Sequence, residues 1–342
     1  MIYPKLHNAS WPGLVGKGPG TPEELIGLDQ MIDLTVKAEV NGRKFDGLDL
    51  FLAAPHVDID SSDDDLQRLA DKLRANGLNT GSFVAPIWGG SAMGGEEARK
   101  TFLTMVEKAC RIAGKLTALG VRPDGVVRVD SSCSVADWAK DPLGNFKQIV
   151  ATFKEAAAIA EGYGERLAAE GEICWGGMHS WKWMKRTLEE VGLPDRFGMQ
   201  VDLAHTMLYL LGYNADEDRI LPADFAWGDQ ATFQACYKQL VAALKPWVFD
   251  FHVAQNDGTV KGQGSHDKTG RHCLPNDPNG KLDFAWCAKQ WLCDDAGQPT
   301  KVCRHLCWDG CMFTNEVMMK PETWNSILAA MIEVQKVCGW EE

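Results

Sequence analysis

Short β-prone apolar runs recur along this chain and alternate with longer stretches whose apolar positions return every three or four residues. The runs predict strands at Ile2–His7, Gly47–Leu52, Thr80–Ala85, Gly125–Asp130, Arg166–Glu170, Phe197–Asp202, Val248–Val253 and Val302–Asp309. The longer period predicts helices at Thr21–Val40, Ser62–Asn76, Glu96–Leu119, Phe146–Tyr163, Ser180–Val191, Leu203–Leu211, Asp283–Leu292 and Pro321–Cys338. A further helix is expected at Gln230–Leu244. Capping chemistry marks the starts. Thr21, Pro22, Glu23 and Glu24 put a hydroxyl, a proline and two acids where a helix N-terminus uses them. Ser62 with Asp63 to Asp65 repeats the arrangement, and Asn76-Gly77 reads as the matching stop.

Strand and helix in alternation mark βα units around a parallel sheet. Eight strands, each followed by a helix, is the count of a (β/α)8 TIM barrel, an α/β fold for which about 250 residues is typical. The surplus falls in long loops after strands six and seven, Gly212–Trp227 and Ala254–Leu282. With no linker and no low-complexity tract, residues 1–342 read as one domain. An open doubly wound sheet would announce itself by a glycine-rich phosphate turn after its first strand. Gly13, Gly16, Gly18 and Gly20 follow strand one as GLVGKGPG, and neither GxGxxG nor GxxxxGK[ST] occurs, so no nucleotide site is expected.

Composition narrows the function classes. The chain is 45% hydrophobic and 24% charged, ordinary for a soluble globular protein. Its net charge of −12 argues against nucleic-acid and membrane partners, which need clustered Lys and Arg. No signal peptide is read at the N-terminus and no run of eighteen apolar residues occurs, so a cytoplasmic protein is expected. Eleven cysteines, an odd count without a small-scaffold framework, fit reduced thiols.

A barrel carries its chemistry at the C-terminal ends of its strands. Those ends supply His7, Asp49, Asp130, Glu170, Asp202, His252 and Asp309. A single acid in such a place commonly caps a helix or pairs with a base, which is the reading for Asp49 and Asp130. Glu170, Asp202, His252 and Asp309 come from consecutive strands five to eight. Buried carboxylates need pairing or a metal, and this oxygen-rich set suits Mn²⁺, Mg²⁺ or Co²⁺, with Zn²⁺ as the alternative. Period two puts Asp250 on the face of His252 as its orienting partner, or as a paired acid at mid-strand. Cys303, Cys307 and Cys311 are spaced CxxxCxxxC and read as barrel fillers, not as zinc ligands. Trp11, Trp88, Trp175 and Trp181 fall on loops that would ring the site, as does His179. The long loop adds His266, Lys268, Arg271 and His272 in GSHDKTGRH, a lid contact or a solvated loop.

The order of these residues carries a resemblance. Glu170 follows RLAA, Asp202 and His205 form Asp-x-x-His, and His252 with Asn256 leads to Gly262 and Gly264 before Asp309 closes the last strand. This resembles the xylose isomerase-like barrels: sugar isomerases and epimerases of the tagatose 3-epimerase type, with inosose dehydratases and endonuclease IV as cousins. The resemblance implies a divalent metal held by Glu170, Asp202, His252 and, by position, Asp309. The family's last ligand is usually Glu, one methylene longer. The arginine expected after the strand-seven histidine is replaced by Asn256-Asp257-Gly258.

A metal chelating a carbonyl and its neighbouring hydroxyl acidifies the C–H between them, so proton abstraction by a carboxylate gives an enediolate. Glu170 and Asp309 are the expected acid–base pair. His205, His266, His7, Trp11, Trp175, His179 and Asn256 are the expected contacts to a small carbohydrate. The leading expectation is a metal-dependent sugar isomerase or epimerase. A lyase or hydratase acting on a 3-keto-glycoside or inosose shares the enolisation step. A nuclease is disfavoured by charge, and a non-enzymatic sugar-binding barrel is the fourth reading. The resemblance also implies a homodimer or tetramer.

Overall fold

A computed structural model describes residues 4–260, 271–300 and 303–340 of the chain. Eight parallel strands close into a barrel in chain order: β1 (Lys5–Ala9), β2 (Gly47–Phe51), β3 (Phe83–Val84), β4 (Val127–Val129), β5 (Leu167–Glu170), β6 (Phe197–Asp202), β7 (Val248–Val253) and β8 (His305–Trp308). β8 pairs with both β7 and β1, which leaves no barrel edge open. The expected (β/α)8 architecture is therefore present.

Period-two alternation divides each strand between two environments. Leu6, Leu48, Leu50, Val127, Val129 and Val201 join the apolar layer between barrel and helices. The alternate positions hold His7, Asp49, Arg128, Glu170, Gln200, Asp202, Asp250, His252 and His305, all buried. Branched aliphatics usually fill such an interior; here it is charged.

Most expected helices form within a few residues of their expected bounds. Asp63–Ala75 carries the reciprocal Ser62/Asp65 capping box, and Ser180, Asp229 and Asp283 cap Trp181–Val191, Gln230–Leu244 and Phe284–Leu292. The helix expected from Phe146 starts at Pro142, with Asp141 accepting from the Gly144 amide.

The helix expected over Thr21–Val40 shrinks to Leu28–Lys37. Its apparent cap serves a loop instead: the Thr21 hydroxyl donates to the carbonyls of Gly18 and Glu23. Glu23 and Glu24 accept from Asn315 beyond β8. β1 is also displaced from its expected position, so that His7 sits mid-strand. β3 is shorter than Thr80–Ala85 because side chains replace the ladder there. The Thr80 hydroxyl donates to Leu48 O, and the Ser82 amide donates to Asp49.

The loop after β7 is not structureless in its described part. Gln255–Asn256 pairs antiparallel with His272–Cys273, bringing His272 back toward the barrel mouth.

Glycine is required where the chain passes closest to the buried charges. A Cβ on Gly81 would lie 2.6 Å from Asp49 Oδ1, 2.7 Å from His305 Nε2 and 2.8 Å from His7 Nδ1. Hydrogen bonds fix these groups: His7 Nδ1 to Asp49 Oδ1 and His305 Nε2 to Asp49 Oδ2. Gly81→Ala is expected to destabilise the fold by about 1–3 kcal/mol through overpacking. The check is a lower urea midpoint at unchanged slope; an unchanged midpoint would show that the triad can move.

Candidate active site

β5, β6 and β7 end side by side, and register sets Asp202 opposite His252. Asp309 follows β8, its amide bonded to Val253 O. Asp202 uses one oxygen locally: Oδ1 accepts from the Ala204 and His205 amides and so caps Leu203–Leu211. Its Oδ2 lies 3.8 Å from His252 Nδ1, and Asp309 Oδ2 lies 3.7 Å from the same nitrogen. These separations are too long for hydrogen bonds. They suit atoms that share a ligand. Glu170, His252 and Asp309 offer donor atoms within 4.8 Å of one another, as do Asp202, His205, His272 and Asp309.

Glu170 Oε1, Asp202 Oδ2, His252 Nδ1 and His272 Nε2 are all buried without a hydrogen-bond partner. Orphaned buried donors and acceptors are costly unless something completes them. The residues therefore fit a divalent cation, and their carboxylate-rich chemistry favours a hard one. A wider groove outside the barrel, between Gln230–Leu244 and Phe284–Leu292, gathers no such orphaned atoms among its described residues.

Asp309 is held from one side only. Its Oδ1 accepts from Trp11 Nε1 at 3.0 Å and from the Cys311 amide at 2.7 Å, which turns Oδ2 toward the histidines. Trp11 stacks on His252 with ring centroids 5.1 Å apart. Arg128 packs on the ring of Trp11 and ion-pairs through Nη2 with Glu170 Oε2.

Above them opens a narrow cleft with about 400 Å³ of empty space between its walls, solvent at its mouth included. Its lining combines apolar Trp11, Val15, Phe51, Val84 and Trp88 with Arg128, Glu170, Glu172, His205, His272, Asp309 and Cys311.

The acids of this cleft differ in environment. Burial raises the Asp309 carboxyl, but His272 and His252 together pull it well below the usual carboxylate range. Burial, reinforced by Glu170 and Asp130, holds the Glu172 carboxyl well above its usual value. Burial opposes protonation of His272, yet Asp309 and Asp202 raise it to about 9. His205 is depressed, chiefly by burial.

Beneath the cleft a chain of polar groups descends the barrel. His252 Nε2 lies 3.8 Å from Asp250 Oδ2, and Asp250 Oδ1 lies 3.6 Å from His305 Nε2. His305 Nε2 bonds Asp49 Oδ2 at 3.0 Å, and His7 Nδ1 bonds Asp49 Oδ1 at 2.8 Å. Asp250 thus neighbours His252, as its strand position implied. Burial lowers His305, but Asp49 and Asp250 overcome it and raise it to about 9.

Of the expected substrate contacts, Trp11 and His205 line the cleft. His7 does not: the strand runs on past it to Ala9, which places it against Asp49 in the barrel interior. Asn256 is buried in the ribbon, its Oδ1 accepting from the Gly258 amide. His179 packs edge-on against Trp138, and Trp175 pairs with Ser134 away from the cleft lining. His266 and Lys268 lie outside the described residues. Asp130 accepts from Trp88 Nε1 and the Ser132 amide, and Asp49 is a pairing acid as read. Cys303, Cys307 and Cys311 are buried free thiols.

Arg128 and Glu172 were not singled out from sequence. The RVD ending of β4 and the second acid in EGE were the available signals.

Comparison with known proteins places this geometry in context. The profile of the xylose isomerase-like TIM barrel family matches residues 38–290. Among solved structures, a 3-keto-D-glucoside 4-epimerase from E. coli aligns with TM-score 0.56 at 14% identity, over 97% of this chain and 99% of that one. The IOLI protein with a bound zinc atom aligns at 0.64 and 14%, over 99% of both chains. A xylose isomerase-like barrel protein from Mycobacterium smegmatis in complex with magnesium aligns at 0.61 and 13%, over 98% and 96%. No curated protein sequence matches the chain. Among the described residues no helix is long and apolar enough to cross a membrane.

Two outcomes follow from this geometry. Asp202→Asn keeps an oxygen to cap its helix but loses the charge a cation needs. Bound metal, measured by elemental analysis, should fall from about one ion per chain to background, while the ion-free melting temperature shifts by only a few degrees.

For pH, His305 has an unfolded value of 6.5 and a folded value of about 9. A raised folded value adds stability in full below about pH 6.5, lost as pH climbs through about 9. The urea midpoint of the ion-free protein should therefore fall across that window, and His305→Gln should flatten the fall. A midpoint that rises with pH there would overturn the charge pairing.

Proposed function

The chain belongs to the xylose isomerase-like TIM barrel family, and on that premise we propose that it is a divalent-metal-dependent sugar isomerase or epimerase. The observation that carries the reading is that unpartnered buried atoms of Glu170, Asp202, His252 and His272 gather at the barrel mouth, where Asp309 belongs to both ligand-spaced groups. Glu170, Asp202, His252 and Asp309 would hold the ion, with Mn²⁺, Mg²⁺ or Co²⁺ favoured by their oxygen-rich chemistry and Zn²⁺ as the alternative. When bound, the ion supplies Lewis acidity that makes the C–H beside a sugar carbonyl easier to ionise.

The chain's own residues do the rest. Asp309 Oδ2, presented by the Trp11 and Cys311 donors, takes the proton. Glu170, steadied by Arg128, is the opposing carboxylate. His205 Nε2, within 4 Å of both Glu170 and Glu172, contacts a substrate hydroxyl or carbonyl. The exposed ring of Trp88, which lines the cleft, covers the apolar face of the sugar.

A second reading is favoured by one observation. Burial and the neighbouring acids Glu170 and Asp130 raise the Glu172 carboxyl well above its usual value. A neutral carboxyl there can protonate a departing β-substituent, as a lyase acting on a 3-keto-glycoside or inosose requires.

Incubation of metal-loaded protein with ketoses and keto-glycosides in deuterated water tests both. Deuterium at the carbon beside the carbonyl without elimination supports the isomerase, and loss of water or aglycone supports the lyase. No exchange with any polyol or keto-sugar would sink the enolisation chemistry altogether. Chelator treatment should abolish exchange and metal should restore it. Asp309→Asn should slow it by about 10²–10⁴-fold.

A further inference from the structure

We propose that Arg128 anchors a carboxylate on the substrate, so that the sugar handled in this cleft is a keto acid and not a neutral ketose. The inference rests on the isomerase or lyase reading of the cleft and names its substrate class. Arg128 is the middle residue of β4, paired with Val84 on one side and Ala168 on the other. Alternation sends its side chain into the barrel, where it is 4% exposed and lines the cleft.

Only one nitrogen of its guanidinium is used. Nη2 meets Glu170 Oε2, while Nε and Nη1 are buried with no partner. Orphaned donors on a charged group cost more than neutral ones, and Nη1 beside the remaining hydrogen of Nη2 is the planar pair that takes a carboxylate by two parallel bonds. The plane is held in place, because it lies 5.0 Å from the centroid of Trp11. Trp11 is itself pinned by Asp309 and stacked on His252. A lysine ammonium would have neither the stacking face nor the second donor edge.

The rest of the lining points the same way. Among the described residues, the cleft presents no Asn, Gln, Ser or Thr side chain, the neutral groups that usually read a polyol by its hydroxyls. Among the described lining residues the polar contacts come from charged groups and imidazoles, and Arg128 is the permanent cation there. Were it only the partner of Glu170, two of its three nitrogens would stay buried and unpaired for no return.

The test is binding to the metal-loaded protein by calorimetry. D-tagaturonate and D-fructuronate are compared with D-tagatose and D-fructose, which share the six-carbon keto skeleton without the acid. Wild type is expected to bind the acids at least about tenfold more tightly. Arg128→Met should remove that preference, and Arg128→Lys should keep part of it, with metal content and melting temperature followed for both. Where Arg128→Met loses its ion or fold, Arg128→Lys decides by a several-fold drop in the preference.

Equal or tighter binding of the neutral ketoses overturns the inference. So does an acid preference unchanged in the variants. Neutral ketoses that exchange their C–H in deuterated water without any acid preference would sink this inference alone and leave the isomerase standing. Failure to bind an ion and to exchange any substrate would sink both.

Discussion

Charge buried inside a closed barrel is the constraint on which this structure turns. A carboxylate removed from water must be paired, hydrogen-bonded or metal-bound. This interior holds Asp49, Asp250, Glu170, Asp202 and Asp309, all at or below 7% exposure. Around Asp49 the account closes within the protein. Asp49 accepts from His7, His305 and the Ser82 amide, and His305 sits between Asp49 and Asp250. At the mouth it does not close. Arg128 and His272 balance part of the negative charge, but atoms of Glu170, Asp202 and His252 remain unpaired. The gradient from satisfied to unsatisfied runs along His7, Asp49, His305, Asp250 and His252, and it points at the place where a cation completes the set.

Trp11 joins the two halves of that arrangement. It donates to Asp309, stacks on His252 and carries Arg128 on its ring. A shorter acid in the last ligand position is workable for this reason. Asp309 has one methylene less reach than Glu. With Oδ1 fixed by the indole and the Cys311 amide, however, its Oδ2 is already turned inward, 3.7 Å from His252 and 3.9 Å from His272. Reach matters less when direction is fixed.

How much of this was legible in sequence varies by residue, for physical reasons. Glu170, Asp202, His252 and Asp309 each close an apolar run, and a polar group in that place is visible wherever the strand is correctly bounded. Strand six and strand seven match their expected bounds to the residue. His7 failed because the first strand is displaced along the chain, which moves the imidazole from the mouth to the interior. Arg128 was invisible for another reason. Val-Arg-Val is the alternation of a half-exposed strand, and nothing local says that both faces of β4 are enclosed. His272 depends on a non-local pairing, Asn256 opposite His272, across a loop with no periodic pattern of its own. Thr21 to Glu24 mimicked a helix start because capping chemistry is shared with turns. The loop used it to tie Glu23 and Glu24 to Asn315.

Three acids in one cleft, held in three environments, imply a division of labour. Glu170 meets Arg128 through Oε2 and leaves Oε1 without a partner, which suits holding an ion. Burial and two acidic neighbours, Glu170 and Asp130, hold the Glu172 carboxyl well above its usual value against the opposing pull of Arg128. Asp309 is an anion drawn well below the ordinary range by the two histidines beside it, which makes it a weak base. A weak base can remove only a proton that has already been made acidic. That condition is met where the carbonyl beside the C–H is polarised by a bound cation, and the ligand atoms left open around Asp309 are where such a cation fits. Separated proton affinities of this kind are how neighbouring carboxyls come to act as acid and base at one pH. The same separation explains why a single cleft could either return the proton to carbon or deliver one to a leaving group. The outcome would depend on whether the substrate carries a β-substituent within reach of Glu172.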